Sequence, residues 1–269
     1  MLGKLIKHEF SATARYFLPL FVIALVLTPI TRFTVSLGEY PGIFRFIPIV
    51  IVFAYVASLV VIVAASVLLI IHRFYKSMVT EEGYLMHTLP VSIEGHIFSK
   101  LIVASVWSIC SFLVIVISLF MMFFTPANFS EFMRALSYGW SEILQDINAS
   151  HVTLLIIECI ILMVIGIISS PLVFYAAIAI GQVIAKNKVL GSVIGFFIIQ
   201  FVSQVLGGIL LVPFGYFTER FANTADNITQ QMSFMTGIFF PVIILMSIAT
   251  TAILFGITDY IFKNKLNLE

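Results

Sequence analysis

The chain alternates between long apolar runs and short polar connections. The hydrocarbon core of a bilayer needs about 20 consecutive apolar residues in a helix, and six runs meet that length. They are Phe17–Leu37, Phe46–Ile71, Ile97–Phe124, Val152–Ile184, Val189–Phe214 and Met235–Phe262. The pattern predicts an all-α membrane protein with six transmembrane helices, and we expect residues 1–269 to form a single membrane-spanning domain.

The low charge content indicates that lipid surrounds most of the chain. Of its 269 residues, 61% are hydrophobic and only 10% are charged, and the mean hydropathy is +1.14. A soluble domain has about a quarter charged residues, so we expect an integral membrane protein. The net charge of +1 provides no basic face for nucleic acid. The two cysteines, Cys110 and Cys159, lie inside apolar runs and predict no metal site.

The outer end of the fifth run is the least regular part of the predicted spans. Gly207, Gly208 and Pro213 lie there, and both residue types weaken a helix interior. The sequence leaves open whether this end completes the span or turns back as a re-entrant piece, which would require burial by protein.

Basic residues near the ends of the runs predict which ends face the cytoplasm, because Lys and Arg concentrate on cytoplasmic flanks. One side carries Lys4, Lys7, Arg15, Arg73, Lys76, Lys100, Lys186, Lys188, Lys263 and Lys265. The other side carries Arg32, Arg45, Arg134 and Arg220. We therefore expect a multi-pass protein of the cell membrane with both termini in the cytoplasm.

Two segments beside the runs have amphipathic patterns. Leu2–Ala14 places apolar residues on one helical face and basic residues on the other, although Glu9 and Thr13 interrupt the apolar stripe. This segment is either an interfacial helix or a positively charged flank that sets the topology. Asn128–Ile147 has apolar residues at helical spacing, and we expect a helix that lies on the outer leaflet or covers the helix bundle.

The polar connection between the second and third runs carries more structural signals than a turn requires. Thr80 is a suitable N-cap, and Glu81 and Glu82 favour the positive end of a helix dipole. Pro90 ends that short helix, and Ser92 can cap the helix that enters the third run. By chemistry alone, a helix that docks a soluble partner and a solvated loop are equally open interpretations.

Two stretches of the chain resemble a known family of membrane proteins. One is the loop sequence EEGYLMHTLP, followed by Ser99-Lys100-Leu101 at the start of the third run, and the other is the N-terminal sequence KLIKHEFSATARYFLP. Both are similar to the permeases of ATP-binding-cassette (ABC) exporters of the type-two group, common in Gram-positive bacteria. The resemblance extends over the whole length through the entry helix, the number of spans and the expected side of the termini.

The resemblance implies a coupling helix in the loop between the second and third spans, which inserts into a groove on a separate ATPase subunit. The residues that would dock there are Glu81, Glu82, Gly83, Tyr84, Leu85, Thr88 and Leu89. It also implies a dimer of two permeases, identical or paralogous, on two ATPase subunits that hold ATP and Mg²⁺. The chain has no G-x-x-x-x-G-K-[ST] motif, so we expect no cofactor and no ATP hydrolysis in it.

Three polar residues inside the apolar runs are candidates for a translocation path or a helix interface. Glu158 lies in the fourth run, and Gln200 and Gln204 are one helical turn apart on the fifth. A carboxylate within the bilayer is expected to face the bundle interior or a water-filled cavity, where it either lines the path or holds helices together. The two glutamines either line a route or bond across a helix interface.

The leading functional hypothesis is the permease subunit of an ABC exporter, with a hydrophobic or amphipathic substrate such as a peptide, antibiotic, drug or lipid. The alternative is an ATP-independent secondary transporter or another polytopic membrane protein, although the spans lack the paired charges that ion coupling would use. The five histidines form no catalytic spacing with Ser, Asp or a metal-ligand set, so an enzyme is disfavoured.

The Lys and Arg distribution predicts that a reporter active only in the cytoplasm is active when it is fused to either end of the chain. Positively charged flanks are retained on the cytoplasmic side during insertion. A fusion after Asn148, in a predicted outer connection, is the control and is expected to be inactive. An external signal from either terminus would contradict this topology.

Overall fold

A computed structural model describes residues 2–36, 46–80, 92–124, 126–146, 149–184, 187–222 and 232–264. The helices are α1 (Leu2–Ser36), α2 (Phe46–Val79), α3 (Ile93–Phe123), α4 (Pro126–Asp146), α5 (Ala149–Ile184), α6 (Lys188–Ala222) and α7 (Met232–Asn264). These residues contain no β-strand. All of the helices except α4 are long and apolar enough to cross a membrane, which confirms the predicted all-α protein with six membrane-spanning helices.

The helices extend beyond the apolar runs that predict them. The amphipathic segment Leu2–Ala14 is helical and continues without a break into the first span as α1. α6 continues through Gly207, Gly208 and Pro213, so this end of the fifth span does not turn back within the described residues. The helix predicted over Asn128–Ile147 is present as α4.

The chain divides into two compact units, Met1–Phe132 and Met133–Glu269. We call them unit 1 and unit 2. Unit 1 contains α1, α2 and α3, which pack around a core of Phe17, Phe21, Ala24, Ile62, Val103 and Trp107. In unit 2, α5 packs against both α6 and α7, with Ala176, Ala177 and Ile199 in its core.

A row of polar side chains on one face of α3 bonds unit 1 together along its length. The row is formed by Lys100, Trp107, Ser111 and Ser118, a near-heptad spacing that keeps side chains on one helical face. Hydrogen bonds of 2.7–2.9 Å join Trp107 to Thr13, Ser111 to Ser66, and Ser118 to both Thr28 and Tyr55. Such bonds stabilise the association of helices in lipid by about 0.6 kcal/mol each. They matter there because an apolar side chain gains little by exchanging lipid acyl chains for another helix.

The order of these contacts sets the direction of each helix in unit 1. From the start of α3 to its end, the residue numbers of its partners on α1 increase, from Thr13 to Thr28. The residue numbers of its partners on α2 decrease, from Ser66 to Tyr55. α1 therefore runs parallel to α3, and α2 runs antiparallel to both. The start of α1, the end of α2 and the start of α3 consequently meet at one end of the unit.

An arginine fixes α1 to α3 at the opposite end of the unit. The Nη1 atom of Arg32 donates to the carbonyl oxygens of Met121 at 2.6 Å and Phe124 at 2.8 Å. The last carbonyl groups of a helix lack partners within the helix, and a cation is favoured at that end of the dipole. Arg32 thus caps α3 and ties α1 to the C-terminal end of that helix.

Unit 2 is held instead by the close approach of small residues. A Cβ atom added to Gly181 of α5 would lie 2.3 Å from the backbone nitrogen of Ser192 on α6, and one added to Gly195 would lie 3.1 Å from the carbonyl oxygen of Ala177. Ala177 and Gly181 are four residues apart, the small-xxx-small arrangement that lets two helix backbones approach in a membrane. The α5–α6 contact therefore depends on the absence of a side chain at Gly181.

The close approach at Gly181 predicts that Gly181→Ala destabilises the protein by about 1–3 kcal/mol through overpacking. Gly166→Ala is the matched control, because Gly166 lies on the same helix with nothing near a Cβ atom. The control is expected to be neutral or slightly stabilising, since Ala is the better helix former. The free energy of unfolding in mixed detergent micelles measures both, and equal values for the two variants would contradict the account of α5–α6 packing.

Candidate functional site

The start of α1 carries a carboxylate on the face that packs against the rest of unit 1. Glu9 and Thr13, the two residues that interrupt the apolar stripe of the sequence, are both buried. Lys4 and Lys7 are exposed. The interruption of the stripe therefore marks a contact with other helices of unit 1.

Glu9 bridges two other helices through its two carboxylate oxygens. Oε1 accepts a hydrogen bond from Nζ of Lys100 on α3 at 2.5 Å, and Oε2 accepts one from Nε of Arg73 on α2 at 3.0 Å. Glu9 and Lys100 are 5% and 4% exposed, whereas the Arg73 side chain is 33% exposed. We call Glu9, Arg73 and Lys100 the charge junction.

Burial makes the charge junction an arrangement that tolerates little change. Removal of one partner from a buried ion pair costs about 3–5 kcal/mol, because the other charge is left uncompensated. Replacement of the whole pair by apolar residues is often neutral, so the junction contributes more to the choice of one arrangement than to net stability. By contrast, the ion pair between Asp259 and Lys263, at 2.7 Å on α7, is more exposed and contributes about 0–1 kcal/mol.

An aromatic contact adjoins the charge junction. Trp107 lies about two turns beyond Lys100 on α3 and stacks between Phe10 and Phe17 of α1, with ring centroids 4.7 and 4.6 Å apart. Its indole N–H donates to Oγ1 of Thr13 at 2.7 Å. The contact between α1 and α3 is therefore continuous from the charged end of unit 1 into its apolar core.

The charge junction lies at the end of unit 1 where the chain passes from α2 to α3. Arg73 is about two helical turns before the end of α2, and Lys100 is about two turns after the start of α3. Oγ of Ser92 accepts a hydrogen bond from the backbone N–H of Gly95 at 3.3 Å, which confirms the predicted cap of α3. The segment between them includes the predicted docking residues Glu81, Glu82, Gly83, Tyr84, Leu85, Thr88 and Leu89, which lie outside the described residues.

The hydroxyl group of Thr80 bonds back to α2, and its predicted role as the N-cap of a short helix stays a prediction, because residues 81–91 lie outside the described residues. Oγ1 of Thr80 donates to the carbonyl oxygen of Lys76, one turn earlier in the chain. The last carbonyl groups of α2 lack helical partners, and they offer the nearest acceptor to this hydroxyl. Thr80 therefore closes the end of α2.

Glu158 is buried within α5, with 8% of its surface exposed. Its Oε2 atom has no hydrogen-bond partner among the residues that the structure describes. His151, two turns earlier on the same face, contacts Oγ1 of Thr236 at 3.3 Å, and Thr236 belongs to a π-helical turn over Met235–Phe239. Such turns often occur at functional sites, but a role for Glu158 in a translocation path stays a prediction.

Gln200 and Gln204 are both exposed on α6. Beside them is a mainly apolar groove of about 300 Å³ between α6 and α7. It is lined by Ser203, Leu206, Gly207, Phe239, Ile243, Met246, Ser247 and Thr250. The two glutamines thus lie on a surface of the single chain, where a path-lining role and an interface role both stay predictions.

Within the described ranges, no three His, Cys, Asp or Glu side chains are close enough to hold a metal ion. No protein-family model, curated protein or solved structure matches the chain. The structure therefore establishes a multi-pass helical membrane protein, and the assignment to a family depends on the sequence resemblance.

The charge junction could not be identified as a unit from the sequence. In the sequence, Arg73 and Lys100 are basic flanks that predict the topology, Lys100 is also part of the family resemblance, and Glu9 is an interruption of an apolar stripe. The single signal was a carboxylate on the apolar side of an amphipathic helix, a position where an unpaired charge is costly. Its partners are far away in sequence, and only the packing of three helices identifies them.

The burial of the charge junction predicts that Lys100→Met lowers the free energy of unfolding by about 3–5 kcal/mol, because Glu9 loses its buried partner. Lys263→Met, which breaks the more exposed pair on α7, is the control and is expected to cost about 0–1 kcal/mol. The double variant Glu9→Met with Lys100→Met should recover most of the loss. Unfolding in mixed micelles measures all three, and equal losses for Lys100→Met and Lys263→Met would contradict a buried junction.

Proposed function

We propose that the chain is the membrane-spanning permease subunit of an ATP-driven ABC exporter. In this role it forms the path for a hydrophobic or amphipathic substrate and docks separate ATPase subunits through the segment between α2 and α3. ATP and Mg²⁺ are held by those ATPase subunits, and the chain itself is not an enzyme. The complete exporter contains a second permease, as an identical copy or a paralogue.

The observation that supports this role most is the charge junction at the base of the segment between α2 and α3. A partner that pushes on a connecting segment moves the transmembrane helices only if the ends of those helices are held firmly together. The charge junction provides that connection for α1, α2 and α3. The loop sequence EEGYLMHTLP, which resembles a coupling helix, lies between the two helix ends held in this way.

The lengths of the helices also support a docking segment outside the lipid. α2 has 34 residues, or about 51 Å of helix at 1.5 Å per residue, whereas the hydrocarbon core is about 30 Å thick. α3 has 31 residues. Both helices are therefore long enough to carry the segment between them beyond the lipid, within reach of a soluble subunit.

The direction of the helices in unit 1 supports the proposed topology. Because α1 is parallel to α3, the start of the chain and the segment before Ser92 are at the same end of the unit. The Lys and Arg distribution assigns that end to the cytoplasm. The proposed protein is thus a cell-membrane permease with a cytoplasmic docking segment and cytoplasmic termini.

The apolar groove between α6 and α7 supports the proposed substrate class. Its lining is mostly apolar side chains, with hydroxyl groups at Ser203, Ser247 and Thr250. Such a surface suits an acyl chain or an apolar peptide side chain better than an ion or a sugar. An ATP-independent transporter is the alternative function, and binding to an ATPase distinguishes the two.

The proposed docking segment predicts that the purified chain retains an ABC ATPase encoded beside its gene. Glu82→Ala with Leu85→Ala should reduce the affinity about tenfold or more, since each truncated central contact costs over about 1 kcal/mol and 1.4 kcal/mol is tenfold. Glu131→Ala with Leu136→Ala removes the same two residue types from the exposed face of α4 and is the matched control.

Co-purification in lipid nanodiscs, followed by titration of the ATPase, measures these affinities. The control is expected to bind as the unmodified chain does. No ATPase binding by the unmodified chain would contradict the proposed function and favour ATP-independent transport. Equal binding by the two double variants would contradict docking through Glu82 and Leu85.

A further inference from the structure

Glu9 makes ion pairs with two different helices of unit 1. Each carboxylate oxygen is committed to one helix, with Oε1 bonded to Lys100 of α3 and Oε2 bonded to Arg73 of α2. α1 therefore cannot separate from α2 or α3 without exposing a buried charge or losing an ion pair. A carboxylate shared in this way links the relative positions of three helices to one another.

The charge junction joins the end of α2, before residues 81–91 in the chain, to the start of α3, after them. The two cations are on the two helices that enter and leave this segment, at similar distances from it along the chain. A displacement of the segment that moves α2 and α3 together leaves both bonds to Glu9 intact. A displacement that separates α2 from α3 must break one of them.

The remaining contacts of α1 carry such a displacement along the whole unit. Beyond Glu9, α1 is bonded to α3 through Thr13 and Trp107, then through Thr28 and Ser118, and finally through Arg32 at the far end of α3. All of these contacts are between the same two parallel helices. α1 and α3 are therefore joined at both ends and in the middle.

We infer that Glu9 is a positioning residue that ties α1 to the end of α2 and the start of α3, so that the three helices move as one rigid body when the ATPase acts. This inference rests on the proposed function, because the force on the segment comes from the docked ATPase. Glu9 does not contact ATP or substrate in this role. Glu9 keeps the ends of α1, α2 and α3 aligned while the docked ATPase exerts force on α2 and α3.

The inference differs from a purely structural role in one measurable respect. If the charge junction only stabilises the fold, any substitution that restores stability also restores communication with the ATPase. If Glu9 transmits movement, an apolar replacement restores folding but not communication, because it no longer ties α1 to two separate helices through directional bonds. Stability and coupling must therefore be measured in the same variants.

Trp107 offers a direct measure of whether α1 remains packed on α3. The chain has two tryptophans, Trp107, which is 3% exposed, and Trp140, which is 49% exposed. In a Trp140→Phe background, fluorescence quenching by acrylamide reports on Trp107 alone. The chain without ATPase, in detergent micelles, is used for this measurement so that no other tryptophan contributes.

The variants are Glu9→Gln, Glu9→Met with Lys100→Met, and the exchange of Glu9→Lys with Lys100→Glu. The exchange keeps one carboxylate and two cations in the charge junction. Each variant is titrated with the ATPase encoded beside the gene, and Mg·ATP hydrolysis is measured with and without saturating chain. Binding affinity, stimulation of hydrolysis and Trp107 shielding are recorded for each.

We expect the apolar pair to keep Trp107 shielded and to bind the ATPase as the unmodified chain does. Its stimulation of hydrolysis should fall about fivefold or more, the range of a typical coupling between sites. Glu9→Gln should lose stimulation in the same way, and the charge exchange should recover part of it. Full stimulation by the apolar pair, or unchanged stimulation by Glu9→Gln, would overturn the inference while leaving the proposed function intact.

A stimulation that is lost only in variants with unshielded Trp107 would also overturn the inference, because loosening of the fold would then explain the loss. If the unmodified chain binds no ATPase, the proposed function fails, and the role of Glu9 in coupling fails with it. The affinity of the unmodified chain thus distinguishes the failure of the proposed function from the failure of the inference.

Discussion

The contact of the Glu9 carboxylate with Lys100 and Arg73 is the interaction on which the organisation of unit 1 depends. A charge buried between helices is tolerated only when its partners are in place. The burial of Glu9 therefore favours one arrangement of α1, α2 and α3, in which particular helix faces meet at particular positions along the helix axes. The hydroxyl and indole contacts farther along α3 join the same three helices in the same register.

The two units solve the same problem with different chemistry. In lipid, helices gain little by burying apolar side chains against each other, so association requires polar bonds or very close packing. Unit 1 uses a row of polar side chains on α3, and unit 2 uses the absence of a side chain at Gly181, which brings the backbones of α5 and α6 together. Hydrogen bonds and ion pairs between helices are lost when the helices move out of alignment. Unit 1, which adjoins the proposed docking segment, is therefore held in one particular arrangement.

The sequence predicts the helical class and the six spans well, because length and apolar composition determine both. It predicts helix ends poorly where polar residues continue a helix beyond its apolar run, as at the start of α1 and the end of α2. It correctly assigns Ser92 as a cap, because that signal is local. The charge junction and the Gly181 contact depend on residues distant in the chain, so neither periodicity nor composition reveals them. Glu9 is an example, because the neighbouring sequence shows only that a carboxylate interrupts an apolar stripe, and not which residues pair with it.

The coupling residues Glu81 to Leu89 and the polar residues Glu158, Gln200 and Gln204 remain predictions from the sequence, supported by resemblance in the first case and by bilayer energetics in the second. Their meaning depends on whether the segment between α2 and α3 touches an ATPase. An electron cryomicroscopy structure of the chain with the ATPase encoded beside its gene, in lipid nanodiscs, tests this most directly. We predict density for residues 81–91 inside a groove of the ATPase, with Glu9 still bonded to Lys100 and Arg73. An ATPase bound elsewhere on the chain, or no stable complex, would contradict the account.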